Sequence, residues 1–451
     1  MSVDLLLKDL KAYVDGRVLE CCIAIDNGRI FKIGKELVMP RAASQTSLQG
    51  LLVLPGMIDV HVHLRDEGKA YKEDFYSGTA AAAAGGITTV LDMPNNNPVT
   101  MSVESLKNRI MAAVDRILVN VGFYSEFPKT LEEIEAIIRE GCVAFKLFLG
   151  GQVGGVNVKD DNAIAEAFKR IDGKVPVSVH AEDYEILEKS IKQLKEMNRS
   201  DIAAFLTAHS EEAEIKAVQR IIRISKLTGV HVHFCHVSSS EALGLIAEAK
   251  RAGLPVTCEA TPHHMFLSVE DVLQMGSIAL TLPPLRGKSH RDALWLGVLS
   301  GLVDVVASDH APHTFEEKVA ENVWNVKAGV PGLETTLPLL LTQVNKGFMS
   351  IADVVRLMAE NPAKIFGLKD RGHIRKGYKA DLVVVDLRRE CCVDASGFNS
   401  KAKYSPFDGW KIRGKPMKTF VNGSLVMDEG EIVGDTGCGE IIRGQCYEVY
   451  R

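Results

Sequence analysis

The sequence predicts an α/β protein: a (β/α)8 barrel over residues 55–370, and a small β-sandwich-like domain built from residues 1–54 together with 371–451. Three observations predict it. Apolar, β-branched runs recur eight times through the middle of the chain, with helix-like stretches between them. Both chain ends read instead as short strands joined by tight turns. Five of the eight middle runs end on or carry histidine, lysine or aspartate, and barrels of this kind carry their chemistry at the strand ends.

At the N-terminal end, Asp15-Gly16 separates one pair of strands, and Asn27-Gly28 separates Cys22–Ile25 from Arg29–Ile33. Asx-Gly pairs signal hairpins because a type I′ turn needs positive φ at both central residues. The C-terminal end has the same character: Asp381–Asp386 reads as a strand, and Thr419–Val421 and Ser424–Met427 flank Asn422-Gly423. In the middle, the apolar runs are Leu51–His61, Ile87–Met93, Ile117–Tyr124, Cys142–Leu149, Val175–Ala181, Val230–Val237, Leu254–Thr261 and Leu302–His310. Continuous apolar strands suit a parallel sheet buried on both faces. Helices are expected over Ser102–Val114, Thr130–Glu140, Glu211–Leu227 and Ser240–Ala252, the last with Ser240 as N-cap. Eight such units favour a closed barrel over an open doubly wound sheet. The glycine-rich run 150–155 lacks a following Lys-Ser/Thr and reads as a loop rather than a phosphate cradle.

A net charge of −5, with 46% hydrophobic and 25% charged residues, describes an ordinary soluble protein. No basic stretch suggests nucleic acid. No apolar run is long enough for a membrane, and Met1–Asp4 opens no signal peptide. Nine cysteines, including the adjacent pairs Cys21-Cys22 and Cys391-Cys392, read as reduced thiols in a cytoplasm. The expected partner is a small-molecule substrate, with no nucleic acid and no membrane; a homo-oligomer is left open.

The strand ends carry a metal-site inventory. His61 and His63 are two apart, share a strand face, and can chelate one cation such as Zn²⁺. Lys146 lies in the fourth run, His180 ends the fifth, His236 the sixth, and Asp309 the eighth. Imidazole and carboxylate suit Zn²⁺. An ammonium in an apolar strand is costly to bury, and divalent cations would repel it. Lys146 either snorkels to the strand end or reacts with CO₂ to give an anionic carbamate that can bridge two metals. His231 and His233 compete with His236, since strand alternation places them on the opposite face; position favours His236. His263-His264 read as hydrogen-bonded loop residues with a place at the mouth as the alternative, and His209, His290 and His373 are given no role. Around the mouth, Arg65 matches a carboxylate bidentately, or else pairs with Asp66 or Glu67. Asn95-Asn96-Asn97 follows the second run, and His313 lies four residues past Asp309.

These residues resemble the dihydroorotases of the metal-dependent amidohydrolase superfamily over nearly the whole chain. The resemblance rests on Asp59-Val60-His61-Val62-His63-Leu64-Arg65-Asp66, Met93-Pro94-Asn95, Ala144-Phe145-Lys146-Leu147 and His180-Ala181-Glu182-Asp183. It rests also on Cys235–Ser239, Ser308–His313 with Glu316-Glu317-Lys318, and Ser405–Trp410. It implies two Zn²⁺ per subunit, bridged by N6-carboxylated Lys146 and a hydroxide. His61, His63 and Asp309 would hold one metal, and His180 and His236 the other. Asp309 would also carry the proton. Arg65, Asn95 and His313, with His63 beside them, would hold the substrate, and the backbone of Pro331-Gly332 would approach its ring. The implied reaction is the reversible closure of N-carbamoyl-L-aspartate to L-dihydroorotate in pyrimidine synthesis. Two residues depart from the family pattern: Glu67 stands where proline is expected, and Leu282 where a substrate-contacting asparagine is expected. The competing readings are a hydantoinase or allantoinase with the same metals, and a non-catalytic assembly subunit, which should have lost ligands.

Overall fold

The computed structural model describes residues 2–151 and 154–447. Eight parallel strands form the central barrel: β1 Met57–Val62, β2 Ile87–Asp92, β3 Asn120–Glu126, β4 Ala144–Phe148, β5 Val177–His180, β6 Val232–Phe234, β7 Val256–Ala260 and β8 Val305–Val306. They pair in chain order. Because β8 is short, the ring closes just beyond it, where Val62 bridges to His310 and the His63 amide donates to the His310 carbonyl at 2.9 Å. Strand residues such as Val90, Val121, Leu147 and Val179 are fully buried in one large apolar cluster. Each such side chain contributes ~1.5–3 kcal/mol relative to exposure, which makes the barrel a stiff frame for groups at its rim.

The first expected run is divided. Leu52–Pro55 pairs with Leu382–Cys392 and Ser2–Val14, in the other sheet, and only Met57–Val62 enters the barrel. Gly56 is the divider: a Cβ there would lie 2.1 Å from Thr88 Oγ1, so the chain can cross β2 this closely only without a side chain. An apolar run alone does not show where one strand leaves one sheet and the next enters another.

The helices lie close to their expected places. Ser102 caps Val103–Ala113 by accepting from the Ser105 amide, and Gly229 closes Glu211–Thr228 at φ 72°. The helix expected from Thr130 begins at Glu133. The cap of Ser240–Arg251 is Ser239, not Ser240: Ser239 accepts from the Ala242 amide, while Ser240 Oγ binds Glu241 and His290.

Both chain ends build one nine-stranded sheet, from Arg29–Gly34 at one edge to Glu431–Ile432 at the other. Its three Asx-Gly turns have positive φ at both residues: 45° and 81° at Asp15-Gly16, 49° and 71° at Asn27-Gly28, and 48° and 81° at Asn422-Gly423. The last two turns nest, since a Cβ on Gly28 would lie 2.8 Å from the Asn422 carbonyl. Leu7, Ile23, Val53, Leu382, Val384 and Phe420 fill the core of this sheet. Farther on, Ile441–Ile442 pairs in parallel with β3, so the C-terminal region also adds a strand to the barrel sheet. Gln152 and Val153 of the glycine-rich run lie outside the described residues. No helix among the described residues is long and apolar enough to cross a membrane.

Candidate active site and metal centre

The site is built first at the end of β1. The Leu64 amide donates to Asp92 Oδ1 at 2.9 Å, and Arg109 holds the same carboxylate with Nε at 3.0 Å and Nη2 at 2.7 Å. This buried ion pair fixes the backbone that carries His61 and His63. Their rings share a face as strand alternation requires, with centroids 5.4 Å apart.

Each ring is oriented by the atom behind it. His61 Nδ1 is hydrogen-bonded to Glu259 Oε1, and His63 Nδ1 to Asn95 Oδ1 at 2.7 Å. Glu259, from β7, also accepts from the His236 amide at 3.0 Å and pairs with His233 Nε2 at 3.1 Å. Burial alone would raise the Glu259 carboxyl, but His61 and His233 hold it low. Burial, then the Lys146 ammonium, lowers His61; burial, then Arg65, lowers His63 further. The neutral rings spend their Nδ1 protons on oxygen acceptors and present Nε2 lone pairs inward.

These lone pairs meet another acceptor. Asp309 Oδ1 lies 3.4 Å from His61 Nε2 and 3.3 Å from His63 Nε2. Acceptors facing each other without a proton repel unless a cation lies between them. The separations match the edge of a tetrahedron around Zn²⁺, about 3.3–3.4 Å for metal–ligand distances near 2.0–2.1 Å. In the second pair, His180 Nε2 is hydrogen-bonded to Glu182 Oε2 at 2.7 Å, and its Nδ1 lies 3.0 Å from His236 Nε2. His236 is lowered well below its ordinary value by burial, then by His180, and its buried Nδ1 has no partner. His61, His236 and Asp309 bring ligand atoms within 4.8 Å of one another. The donor set fits divalent cations.

Lys146 completes the group from β4. Its side chain is fully buried; Nζ donates to Cys235 Sγ at 2.9 Å and lies 5.0 Å from the Phe148 ring centre. Among the described residues no carboxylate lies within ion-pair distance of it, and, being fully buried, the side chain does not snorkel out to solvent at the strand end.

The strand-six competition is resolved by backbone conformation. β6 ends at Phe234, and His236 has φ 34°, so alternation has lapsed before His236 is reached. His236 faces the cluster, while His233 is buried against Thr257 and Glu259 and His231 bonds Thr257. Asp309 and Arg65 are also left-handed, at φ 46° and 59°. Non-glycine residues in this region cluster at functional sites.

A cavity of about 460 Å³ opens over these groups. The family model that matches this chain is that of the amidohydrolase family, over residues 52–426. The chain belongs to the amidohydrolase family. It is 37% identical to a dihydroorotase of Methanothermobacter thermautotrophicus over 93% of this chain and 94% of that one. It is 38% identical to a dihydroorotase of Pyrococcus furiosus over 94% and 93%. Among solved structures it superposes on an L-hydantoinase (dihydropyrimidinase) of Arthrobacter aurescens with TM-score 0.93 and 32% identity, over 98% and 100% of the chains.

In this amidohydrolase the cavity's polar wall is formed by Arg65, Asn95 and His313. Arg65 is buried and does not pair with Asp66 or Glu67. Its Nε donates to the Pro312 carbonyl at 3.2 Å and its Nη2 to His313 Nε2 at 3.2 Å. No carboxylate among the described residues lies within ion-pair distance of it. His313 is lowered by burial, then by Arg65, and its Nδ1 lies between Lys72 Nζ at 3.1 Å and Glu317 Oε2 at 3.2 Å. Of the three asparagines only Asn95 reaches the cavity; Asn96 bonds Thr100 and Glu67.

Pro331 and Gly332 are not brought to the cavity wall. The Gly332 amide donates to His310 Nδ1 at 3.2 Å, and its Cα packs under Ser308. Lys327, Ala328 and Gly329 line the wall instead. Leu282 does line it, as an apolar group where an amide was expected. Glu67 has φ 50°, which proline cannot adopt, and its carboxylate takes Asn96 and Arg109.

His264 bonds Thr261 and the Pro283 carbonyl, as a hydrogen-bonded loop residue should; His263 keeps a buried Nε2 without a partner. His290 and His373 pair with Glu211 and Glu360. His209, given no role from sequence, lines the cavity and bonds Glu182 at 2.9 Å. Glu182 and Glu259 were also missed as ring-orienting groups. Glu259 could have been found by the reasoning applied to Lys146, since it is a lone charge inside an apolar strand.

Proposed function

We propose that this amidohydrolase is a dihydroorotase, closing N-carbamoyl-L-aspartate to L-dihydroorotate and reopening it. The observation that carries the reading is Arg65: a buried guanidinium on the cavity wall, beside the histidine cluster, with no carboxylate within ion-pair distance among the described residues. A ring amide that carries a carboxylate supplies the missing partner. The similarity to curated dihydroorotases over more than nine-tenths of the chain supports the same reading.

His61, His63 and Asp309 would hold one Zn²⁺, His180 and His236 a second, and N6-carboxylated Lys146 would stand between them. Carboxylation turns the least comfortable charge in the site into an anion with two oxygens. When bound, the metals supply a water activated near neutral pH and polarise the ring carbonyl.

The chain's own groups do the rest. Arg65 takes the substrate carboxylate with its planar fork and so orients the ring. Asn95 and His313 border that carboxylate from the loops after β2 and β8. Asp309 moves the proton between the attacking water and the ring nitrogen. Phe148, Leu282 and Val326 add apolar surface to the same cavity. The barrel of residues 55–370 would carry this chemistry, with residues 1–54 and 371–451 as its supporting β domain. Nine free cysteines fit a cytoplasmic setting.

Leu282 favours a second reading, a hydantoinase, because an apolar wall suits a neutral ring; the likeness to the L-hydantoinase structure points the same way. Arg65→Met separates the two. A charged hydrogen bond contributes ~1.5–3 kcal/mol. Its loss should therefore lower kcat/KM for dihydroorotate by about 10- to 100-fold. Bound metal should be retained, and turnover of a neutral cyclic amide should hardly change. Steady-state kinetics with metal analysis of the variant checks this; an intact dihydroorotate rate in Arg65→Met would remove the assignment.

A further inference from the structure

We infer that Lys318 is a positioning residue for the substrate cavity, tying the chain at Leu280 to the chain at Gly329 and so setting where Leu282 and the Ala328-Gly329 backbone stand. The inference rests on the cyclic-amide reading above.

Lys318 is fully buried at the end of the short helix Phe315–Lys318. Its neighbour Glu317 is engaged with Lys72, Tyr71 and His313. Lys318 has no such acid: among the described residues no carboxylate lies within ion-pair distance. Its Nζ donates to the Leu280 carbonyl at 3.0 Å and the Gly329 carbonyl at 2.9 Å, and lies 5.7 Å from the centre of the Tyr404 ring. A buried ammonium without a counter-ion is expensive, so an apolar residue would serve packing better. What the ammonium adds is two charged hydrogen bonds to backbone carbonyls on separate segments. Burial lowers Lys318 to about 7, so near neutral pH part of the population is the neutral amine, whose two N–H groups can still donate to both carbonyls.

The node is wider than one side chain. The Leu280 carbonyl also accepts from the Gly329 amide at 2.8 Å. The Gly329 carbonyl also accepts from Tyr404 Oη at 3.3 Å, and Tyr404 Oη accepts from the His313 amide at 3.3 Å. Leu282, His313 and Gly329 all line the cavity, whereas Lys318 does not. Gly329 has φ 144°, and a Cβ there would lie 2.5 Å from the Ala311 carbonyl, so bare backbone forms this part of the wall. Lys318 therefore acts on substrate binding through the wall and touches no reacting atom.

The test uses the full, metal-loaded enzyme with whichever of dihydroorotate, hydantoin and allantoin the unmodified protein turns over fastest. Choosing the substrate this way keeps a failure of the substrate assignment apart from a failure of this proposal. Lys318→Met should raise KM by about 10-fold or more while kcat stays within about threefold and metal content is unchanged. Tyr404→Phe, which removes one bond to the Gly329 carbonyl and one from the His313 amide and keeps Lys318, should raise KM by about two- to fivefold. A purely structural lysine would lower the melting temperature and the yield of active enzyme without moving KM. An unchanged KM in Lys318→Met, or a loss confined to kcat or to metal, overturns the proposal. If Lys318→Met does not fold, the KM of Tyr404→Phe decides, and an unchanged value overturns it.

Discussion

Lys146→Ala should leave the protein with little bound metal and no measurable turnover. Lys146 is a cation inside a cluster of acceptor atoms, fully buried, and its ammonium donates to the Cys235 thiol with no carboxylate within ion-pair distance among the described residues. If it is carboxylated, it supplies the anionic oxygens between the His61–His63–Asp309 group and the His180–His236 pair. Alanine removes them and leaves too few donors to hold two divalent ions; catalysis that depends on an activated water then has no source for it. The loss should be partly reversible, because short carboxylic acids such as acetate or propionate can enter the vacated space and supply the missing oxygens. Metal analysis and turnover measured with and without added acid check both halves. A Lys146→Ala protein with near-stoichiometric paired metals and full activity would contradict the assignment.

Asp309→Asn should lower kcat by roughly 10²- to 10⁴-fold, the range expected when a positioned proton carrier is removed. Asparagine keeps the size of the side chain but cannot take up and return a proton at neutral pH. The carboxylate sits 3.3–3.4 Å from both His63 and His61, with its backbone held at φ 46°. Substrate binding should survive, because Arg65 and His313 are untouched. Turnover beside directly measured substrate affinity separates the two effects, and near-normal turnover would remove Asp309 from the proton path.

Much of this was legible in the residues. The eight barrel strands were visible because a parallel sheet buried on both faces demands continuous apolar runs, and the hairpins because only Asx-Gly pairs enter type I′ turns cheaply. His61, His63, Lys146, His180, His236 and Asp309 stood out as polar groups at or inside apolar strands. Features that depend on where the chain goes next were not legible. The break at Gly56 depends on how closely β1 passes Thr88, a contact across 32 residues. The place of His236 depended on a left-handed backbone, which hydrophobic periodicity does not encode. His209 reaches the cavity from a helix end with no local signal. The resemblance implied the backbone of Pro331-Gly332 beside the ring, whereas Lys327, Ala328 and Gly329 line the cavity.

The most direct test of the account is a side-by-side comparison of L-dihydroorotate, hydantoin and allantoin as substrates of the purified, zinc-loaded protein, with metal content measured on the same sample. The account predicts about two metal ions per chain, with kcat/KM for dihydroorotate exceeding that for either neutral ring. Hydantoin or allantoin turned over faster than dihydroorotate would contradict it, and would make Arg65 a structural cation rather than the reader of a substrate carboxylate.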